Sequence, residues 1–332
     1  MTMRKALVTG GAGFIGCHLA RRLADEGAAV DILDSHDRGV RDAALEELLA
    51  RPGVRMLEAD LRRGAVAGDL DTDYDLIVHL AAIIGVAQVR SRPYEVLSAN
   101  VAMLETALAL ARRQERLGRF VFASTSEIYA GTLQAFGMAV PTPEDTPLTA
   151  GDLAEPRTTY MLSKLYGEAL CRFSGVPFTI VRFHNVYGPR MGRSHVVPQL
   201  LEKAHRLAAG EPLVVASADH RRSFCYVDDA VEYLLRMSAL PACADGTFNI
   251  GTQEPEVRIG DVARIILDTV GRDNPVAAGP ETPGSPARRA PDMARAIAAT
   301  GYRSRVDLAT GVRRTYDWYR ERVFERAEIC AV

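Results

Sequence analysis

The stretch that most restricts the fold of this chain is "TGGAGFIG", residues 9–16. Gly10, Gly13 and Gly16 have the spacing G-x-x-G-x-x-G. The preceding run, "KALVT", is typical of a buried strand, and the apolar residues from Phe14 to Glu26 recur with a helical period. A strand, a glycine-rich turn and a helix in this order predict the first unit of a parallel α/β sheet.

The alternation of strands and helices continues through the first half of the sequence. Further candidate strands are "AVDIL", "VRMLE", "DLIVHLA", "RFVFAS" and "FTIVRF", and a long helical pattern runs from Tyr94 to Gln114. The pattern predicts an α/β fold with a Rossmann-type doubly wound parallel sheet and a smaller C-terminal substrate-binding domain. We place the first domain at residues 1–183. Residues 184–332 form mainly the second domain, with the chain crossing back to the first.

Three segments interrupt or close this pattern. Residues 130–158 are expected to form a long irregular connection, either a pocket rim or a surface excursion. Residues 272–291 are rich in proline and are expected to be a loop. A final helix is expected from Leu308 to Phe324.

The glycine-rich turn predicts a dinucleotide site. Glycines let the backbone approach a pyrophosphate, and the helix that begins at Phe14 and Ile15 offers free N–H groups to it. Asp34 ends the second strand, 18 residues after Gly16. A carboxylate there accepts hydrogen bonds from a ribose diol and repels a 2′-phosphate, so the expected cofactor is NAD. Arg38 lies nearby and leaves NADP as the alternative.

A second pattern, "TYMLSK", places Tyr160 and Lys164 four residues apart, on one face of a helix. A lysine ammonium near a tyrosine lowers the pKa of the phenol. Such a phenolate can take a proton from a sugar hydroxyl while hydride leaves the same carbon. Thr125 ends the strand "RFVFAS" and can hydrogen-bond to the same oxygen.

Composition and charge limit the classes of molecule that this chain is expected to bind. The chain has 332 residues, 25% of them charged, and a net charge of −2, so nothing indicates a nucleic-acid partner. We find no apolar run of membrane-spanning length and no secretory signal, and we expect a cytoplasmic protein. The five cysteines have no C-x-x-C spacing, which favours reduced thiols, and no metal site is expected.

Eight ordered motifs resemble the extended short-chain dehydrogenase/reductases, specifically the NAD-dependent nucleotide-sugar epimerase/dehydratase family. They are "TGGAGFIG", "DILD", "EADLRR", "VHLAA", "ASTSEIYA", "YMLSK", "RFHNVYGPR" and "RRSFCYVDDA". The resemblance implies that the substrate is a nucleotide-diphosphate sugar and that the protein is a homodimer paired through the helices near residues 94–114 and 158–173.

The resemblance also implies roles for single residues. The cofactor-binding residues are Gly10, Gly13, Phe14, Ile15, Gly16, Asp34, Asp60, Leu61, Leu80, Ala81, Ala82, Asn100, Tyr160 and Lys164. The catalytic residues are Thr125, Glu127, Tyr160 and Lys164, and the substrate-binding residues are Ser126, Asn185, Arg190 and Arg222. For Arg190, and for Arg288 and Arg289, a solvated surface position is the alternative to a phosphate contact.

The net reaction depends on the sequence Thr125-Ser126-Glu127. Members that eliminate water carry an acid where Ser126 stands, and decarboxylases carry an acidic residue within the Tyr-x-x-x-Lys segment, whereas simple 4-epimerases have a small residue at the position of Glu127. We favour a nucleotide-sugar 4-epimerase acting through a transient 4-keto sugar. The alternative is a dehydratase or a UDP-glucuronate-type decarboxylase that uses Glu127 as a base at C5.

Two other classes are considered. A non-catalytic NAD-binding regulator on this fold commonly lacks the tyrosine or the lysine, and this chain has both. A reductase that consumes free NADPH is disfavoured by Asp34 and by the absence of a basic cluster in the glycine-rich turn.

Overall fold

A computed structural model describes residues 4–64 and 66–325. The strands are β1 (Lys5–Thr9), β2 (Ala29–Asp34), β3 (Val54–Glu58), β4 (Leu76–His79), β5 (Arg119–Thr125), β6 (Phe178–Phe183), β7 (Val186–Tyr187), β8 (Leu213–Val215), β9 (Arg221–Arg222), β10 (Cys225–Tyr226), β11 (Gly246–Ile250), β12 (Val257–Arg258), β13 (Val276–Ala278) and β14 (Arg288–Arg289).

The helices alternate with the strands in the first half of the chain. They are α1 (Phe14–Asp25), α2 (Ala43–Leu49), α3 (Val66–Asp69), α4 (Val86–Ser91), α5 (Pro93–Arg112), α6 (Ala130–Phe136), α7 (Pro156–Phe173), α8 (Val196–Arg206), α9 (Val227–Ala239), α10 (Ile259–Val270), α11 (Ala294–Thr300) and α12 (Leu308–Tyr319). Short 3₁₀ turns lie at Ser126–Tyr129 and Pro241–Cys243, and a π-helical turn extends α12 over Arg320–Phe324.

A parallel sheet with the strand order β11-β6-β5-β4-β1-β2-β3 forms the centre of the molecule. Successive residues of β1 face opposite sides, since Ala6 and Val8 pack into one apolar cluster and Leu7 into the other. A sheet that is covered on both faces explains why its strands are continuous apolar runs. The predicted α/β fold with a doubly wound sheet is confirmed.

The seventh strand comes from the second half of the chain. β11 pairs in parallel with β6, from Gly246 opposite Thr179 to Ile250 opposite Phe183. Helix α9 packs in the same apolar cluster as α1. The chain therefore crosses back to the large sheet after residue 184, and the exact domain boundary remains a prediction.

The segments expected to be irregular contain more structure than the sequence suggested. Residues 126–136 form the 3₁₀ turn and α6, so only residues 137–155 between α6 and α7 are irregular. Gly131 permits this, because a Cβ there would collide with the backbone of Thr149 and Gly151. The proline-rich segment contributes the short strands β13 and β14. The final helix begins at Leu308 as expected and continues as the π-helical turn to Phe324.

Within the described residues, no helix is both long and apolar enough to cross a bilayer. Cys17, Cys171, Cys225 and Cys243 are buried free thiols. Cys330 lies outside the described residues.

Candidate active site

The glycine-rich turn joins β1 to α1 at the point where the strand order reverses, between β4 and β2. Gly10 has φ +71°, and a Cβ on it would lie 2.7 Å from the backbone nitrogen of Ala81. A Cβ on Gly16 would collide with the carbonyl oxygen of Gly10. No side chain caps the first turn of α1 and no acidic residue lies in it, so its N–H groups are free for a phosphate group.

Asp34 ends β2 beside this turn and is 9% exposed. Its Oδ2 accepts a hydrogen bond from the backbone N–H of Ala12 (3.1 Å) and its Oδ1 accepts one from that of His36 (2.9 Å). These bonds fix the carboxylate while each oxygen keeps a second lone pair for a ribose hydroxyl. The turn and Asp34 together fit a dinucleotide with an unphosphorylated adenosine ribose.

Most of the residues assigned from the sequence line one continuous cleft with a cavity volume of about 860 Å³. These are Gly10, Gly13, Phe14, Ile15, Gly16, Asp34, Asp60, Leu61, Leu80, Ala81, Ala82, Thr125, Ser126, Glu127, Tyr160, Lys164, Asn185 and Arg190. A cleft of this size suits a small-molecule ligand. The roles of the single residues within it remain predictions.

Thr125, Tyr160 and Lys164 meet at the carboxyl end of β5. The phenol of Tyr160 hydrogen-bonds to the side chain of Thr125. Burial, with the negative charge of Glu127 as a smaller cause, raises the pKa of Tyr160. Burial lowers the pKa of Lys164 to about 8. Nζ of Lys164 lies 5.9 Å from the centre of the Tyr160 ring, within reach of a phenolate. The sequence predicts a lowered pKa for Tyr160, whereas in this structure the pKa is raised, because burial outweighs the causes that lower it.

A buried ion pair supports these residues from behind. Glu168 lies one turn beyond Lys164 on α7 and accepts hydrogen bonds from Arg182 on β6 (2.8 and 2.9 Å) and from Ser124 Oγ on β5 (2.7 Å). Arg182 also donates to the hydroxyl of Tyr129 (2.7 Å), at the end of the 3₁₀ turn that carries Glu127. The pair thereby fixes α7, β5 and the 3₁₀ turn relative to one another.

Glu127 lies between two guanidinium groups. Arg289 is 2.8 Å from Oε1, and Arg157 donates to Oε2 at 3.3 Å. The charge of Arg289 is the largest cause that lowers the pKa of Glu127, and Arg157 adds to it, so the carboxylate is ionised at neutral pH. Glu127 and Arg289 line the cleft beside Thr125 and Tyr160.

The motif "HNVYGPR" forms the wall opposite α7. Asn185 donates its amide to the carbonyl of Ser223 (2.9 Å). Arg190, whose side chain is 5% exposed, bonds to the carboxylate of Asp42 (2.8 and 3.0 Å) and to the carbonyl oxygens of Ala12 and Gly13. Arg190 therefore clamps the glycine-rich turn and is not a solvated surface residue.

Two assigned residues lie outside the cleft lining. Asn100 holds the backbone of Ile83 through bonds to its N–H (2.7 Å) and its carbonyl (3.1 Å). Arg222 donates to Ser285 Oγ (2.8 Å) and to the carbonyl of Pro286 (2.6 Å). In this structure both residues shape the loops around the cleft, and their direct contact with a ligand remains a prediction.

Sequence reasoning missed Arg157 and did not place the final helix, which it predicted as an element, at the cleft. Arg157 precedes Tyr160 by three residues on α7, a helical spacing that could have identified it. Trp318 and Tyr319 of α12 line the cleft, and the Tyr319 hydroxyl bonds to the carbonyl of Met191. No local sequence pattern predicts the contact between Tyr319 and Met191, because the two residues are more than 120 positions apart.

Across residues 4–64 and 66–325, no group of three or more His, Cys, Asp or Glu side chains is placed to hold a metal ion.

Residues 6–251 match the model of the NAD dependent epimerase/dehydratase family. The chain is 30% identical over 331 residues to the UDP-N-acetyl-alpha-D-glucosaminuronate decarboxylase of Bacillus cytotoxicus, covering 96% of this chain and 98% of that protein. It is 32% identical to the dTDP-4-dehydro-6-deoxy-D-allose reductase of Streptomyces bikiniensis, covering 96% of each chain.

Among solved structures, it is similar to an NAD-dependent NDP-hexosamine 5,6-dehydratase involved in tunicamycin biosynthesis. The TM-score is 0.79 at 30% identity, over 97% of this chain and 99% of the other. Three findings agree on the family: the glycine-rich turn with Asp34, the Thr125–Tyr160–Lys164 cluster and the match over most of the sequence. The cofactor is NAD. The chain belongs to the NAD-dependent epimerase/dehydratase family.

Proposed function

We propose that this protein is a nucleotide-sugar lyase that oxidises C4 of a nucleotide-linked uronic acid and then releases C6 as carbon dioxide. The observation that carries the proposal is the position of Glu127 between Arg157 and Arg289, next to Tyr160. One anion between two guanidinium groups leaves a surplus positive charge at the sugar end of the cleft. A carboxylate at C6 of the sugar balances that surplus.

The first half of the reaction uses Tyr160, Lys164 and Thr125. Bound NAD supplies the hydride acceptor. Tyr160 removes the proton of the C4 hydroxyl, and Lys164 stabilises the phenolate by its charge. The hydroxyl of Thr125, which in this structure bonds to Tyr160, turns its single hydrogen to the same sugar oxygen when the substrate is bound.

Decarboxylation and dehydration differ in the second half of the reaction, in whether they need an acid. Loss of water needs an acid to protonate the departing hydroxyl. Arg157 and Arg289 cannot give up a proton in a protein, Glu127 is held ionised, and Ser126 is no acid. Loss of carbon dioxide needs no acid at C6, because the leaving group is neutral. The described site therefore suits decarboxylation better.

The charges balance along this path. The C5–C6 bond breaks, its electron pair moves to the C4 carbonyl as an enolate, and carbon dioxide leaves. The negative charge thus moves from C6 towards the oxygen held by Tyr160 and Thr125, where hydrogen-bond donors stabilise it. Glu127, as an ionised acceptor, orients a water molecule that delivers the proton to C5 and so gives a 4-keto pentose. Return of the hydride to C4, with the proton held by Tyr160 passing back to the C4 oxygen, completes the pentose and leaves the reaction redox-neutral.

The similarity to a decarboxylase and to a 5,6-dehydratase supports chemistry at C5 and C6 better than simple 4-epimerisation. A 4-epimerase remains the second candidate. It is favoured by the Tyr160–Lys164 segment, in which Met161 and Ser163 are buried and no acidic residue lies between the pair.

The test uses the NAD-loaded enzyme with UDP- and dTDP-linked glucuronate labelled with ¹³C at C6, and with the corresponding neutral glucose compounds. We expect labelled carbon dioxide and a pentose product from a uronate and no turnover of the glucose compounds. NMR of the product decides the outcome. A C4-inverted uronate that keeps its label would replace this proposal with the epimerase.

A further inference from the structure

Arg157 connects two parts of the molecule that are far apart in the sequence. Its Nη2 donates to Oε2 of Glu127 (3.3 Å) and its Nη1 donates to the carbonyl oxygen of Pro283 (3.1 Å). The side chain is 27% exposed, so it lies at the rim of the cleft. Because the guanidinium is a rigid plane, a shift of the Pro283 carbonyl reorients the donor that faces Glu127.

Pro283 belongs to a largely exposed segment, residues 279–287, that contacts the side chains of Arg157 and Arg222. Gly279 anchors its start, donating to the carbonyl of Val215 (2.8 Å), and Ala287 anchors its end, accepting from the N–H of Arg221 (2.7 Å). Gly284, at the exposed tip, has φ +71°. A Cβ on Gly284 would lie 3.0 Å from Nη1 of Arg157. The absence of a side chain at residue 284 therefore leaves room for the guanidinium in its observed position.

Glu127 needs this second contact. Arg289 approaches Oε1 at 2.8 Å, and a carboxylate held at one oxygen still rotates about its last bond. The bond from Arg157 to Oε2 fixes the plane of the carboxylate. We propose that Arg157 is a positioning residue that links the turn Pro283–Gly284 to Glu127, so that the conformation of an exposed turn sets the rate of the C5–C6 step. The inference rests on the proposed function, because that step is where Glu127 acts.

Gly284→Ala tests the link without touching the cleft or any charge. Its control is Gly210→Ala, since Gly210 has φ +79° and a Cβ there would meet nothing within 4 Å, so the backbone strain is matched. Arg157→Gln removes the link itself. Arg288→Gln is the control for its charge, because Arg288 is paired with Glu256 (2.6 Å) on the surface.

Two rates are measured in single turnovers at saturating substrate: NADH absorbance at 340 nm for oxidation at C4, and labelled carbon dioxide for the C5–C6 step. We expect Arg157→Gln to slow carbon dioxide release on the order of 10- to 100-fold, the cost of misplacing a reacting group, with little change in NADH formation. Gly284→Ala should slow the same step, and the double variant should be no slower than Arg157→Gln alone.

Several outcomes would overturn the inference. One is carbon dioxide release in Gly284→Ala equal to that of the wild type. Another is equal slowing by Gly210→Ala, which would reduce the effect to backbone strain. Slowing of NADH formation and carbon dioxide release by the same factor in Arg157→Gln would place the effect of Arg157 at C4 oxidation and not at the C5–C6 step. Absence of labelled carbon dioxide from the wild type overturns both this inference and the proposed function, whereas the other results leave the proposed function standing.

Discussion

The ammonium group of Lys164 donates a 2.8 Å hydrogen bond to the carbonyl oxygen of Ala123, two residues before Thr125. This bond joins α7 to β5 directly behind the active site. It also fixes the distance at which the charge of Lys164 acts on Tyr160. We therefore expect the lysine to act as a fixed charge and not as a mobile proton carrier.

Replacing the phenol of Tyr160 tests the first half of the reaction. We expect Tyr160→Phe to slow NADH formation by on the order of 10²–10⁴, because the variant lacks the base while the ring still fills the site. Bound NAD, assayed after denaturation, should be retained. Tyr166→Phe, at an exposed tyrosine of the same helix, is the matched control and should have wild-type rates. Equal rates in both variants would exclude Tyr160 as the base.

Lys164 is held in place at a cost in stability. Its pKa is about 8 in the folded protein against an ordinary value of 10.5, so between these pH values the unfolded chain binds more protons and wild-type stability rises with pH. We expect Lys164→Met to be inactive yet more stable at pH 7 by about 1–2 kcal/mol, after the lost hydrogen bond is subtracted. Denaturant unfolding should show the full difference in the free energy of unfolding below pH 8. The difference should disappear as the pH rises towards 10.5. A variant less stable than the wild type at pH 7 would contradict the argument.

The strands and the cleft follow from the sequence because local patterns determine them. Apolar runs such as "RFVFAS" and the glycine spacing need no distant partner to be recognised. The arginines are different. Arg190 and Arg289 act on residues more than 140 positions away, and only tertiary packing decides whether such a side chain clamps a loop, pairs with Glu127 or stays in solvent. The helix α6 was missed because its seven residues include a glycine and follow a turn.

The proposed reaction assigns Glu127 to its second half. We expect Glu127→Gln to keep NADH formation and to slow the C5–C6 step by on the order of 10²–10⁴, the usual contribution of a group that controls a proton. Turnover in D₂O with NMR of the product gives the readout, since deuterium should enter C5 in the wild type and enter far more slowly in the variant. Unlabelled C5 in the wild-type product would favour 4-epimerisation.

We expect the choice of NAD over NADP to depend on the charge of Asp34. Asp34→Asn keeps an oxygen that can accept from Ala12 or His36 but removes the charge that repels a 2′-phosphate. We expect the preference for NAD, measured by calorimetry on cofactor-free protein, to fall on the order of 10- to 100-fold. An unchanged ratio would place the discrimination elsewhere.

The predicted homodimer has a defined surface. Met103, Leu104 and Leu108 of α5 are buried within one chain, so they leave less apolar surface than the sequence suggested. Tyr94, Tyr166 and Phe173, on α5 and α7, remain exposed by 78%, 48% and 88%. Phe173→Glu combined with Tyr166→Glu should give a monomer in sedimentation at micromolar concentration. Phe136→Glu, at an equally exposed residue outside these helices, should leave the dimer intact. A monomeric wild-type protein would contradict the predicted homodimer.

The pairing of β11 with β6 restricts how such a protein can change over time. A chain cut near residue 183 would leave the edge of β6 uncovered, and an uncovered strand edge promotes aggregation. We therefore expect the half that holds the cofactor to aggregate when it is expressed alone. A recombination that imports a new substrate half would have to bring a strand that fits the existing edge of β6.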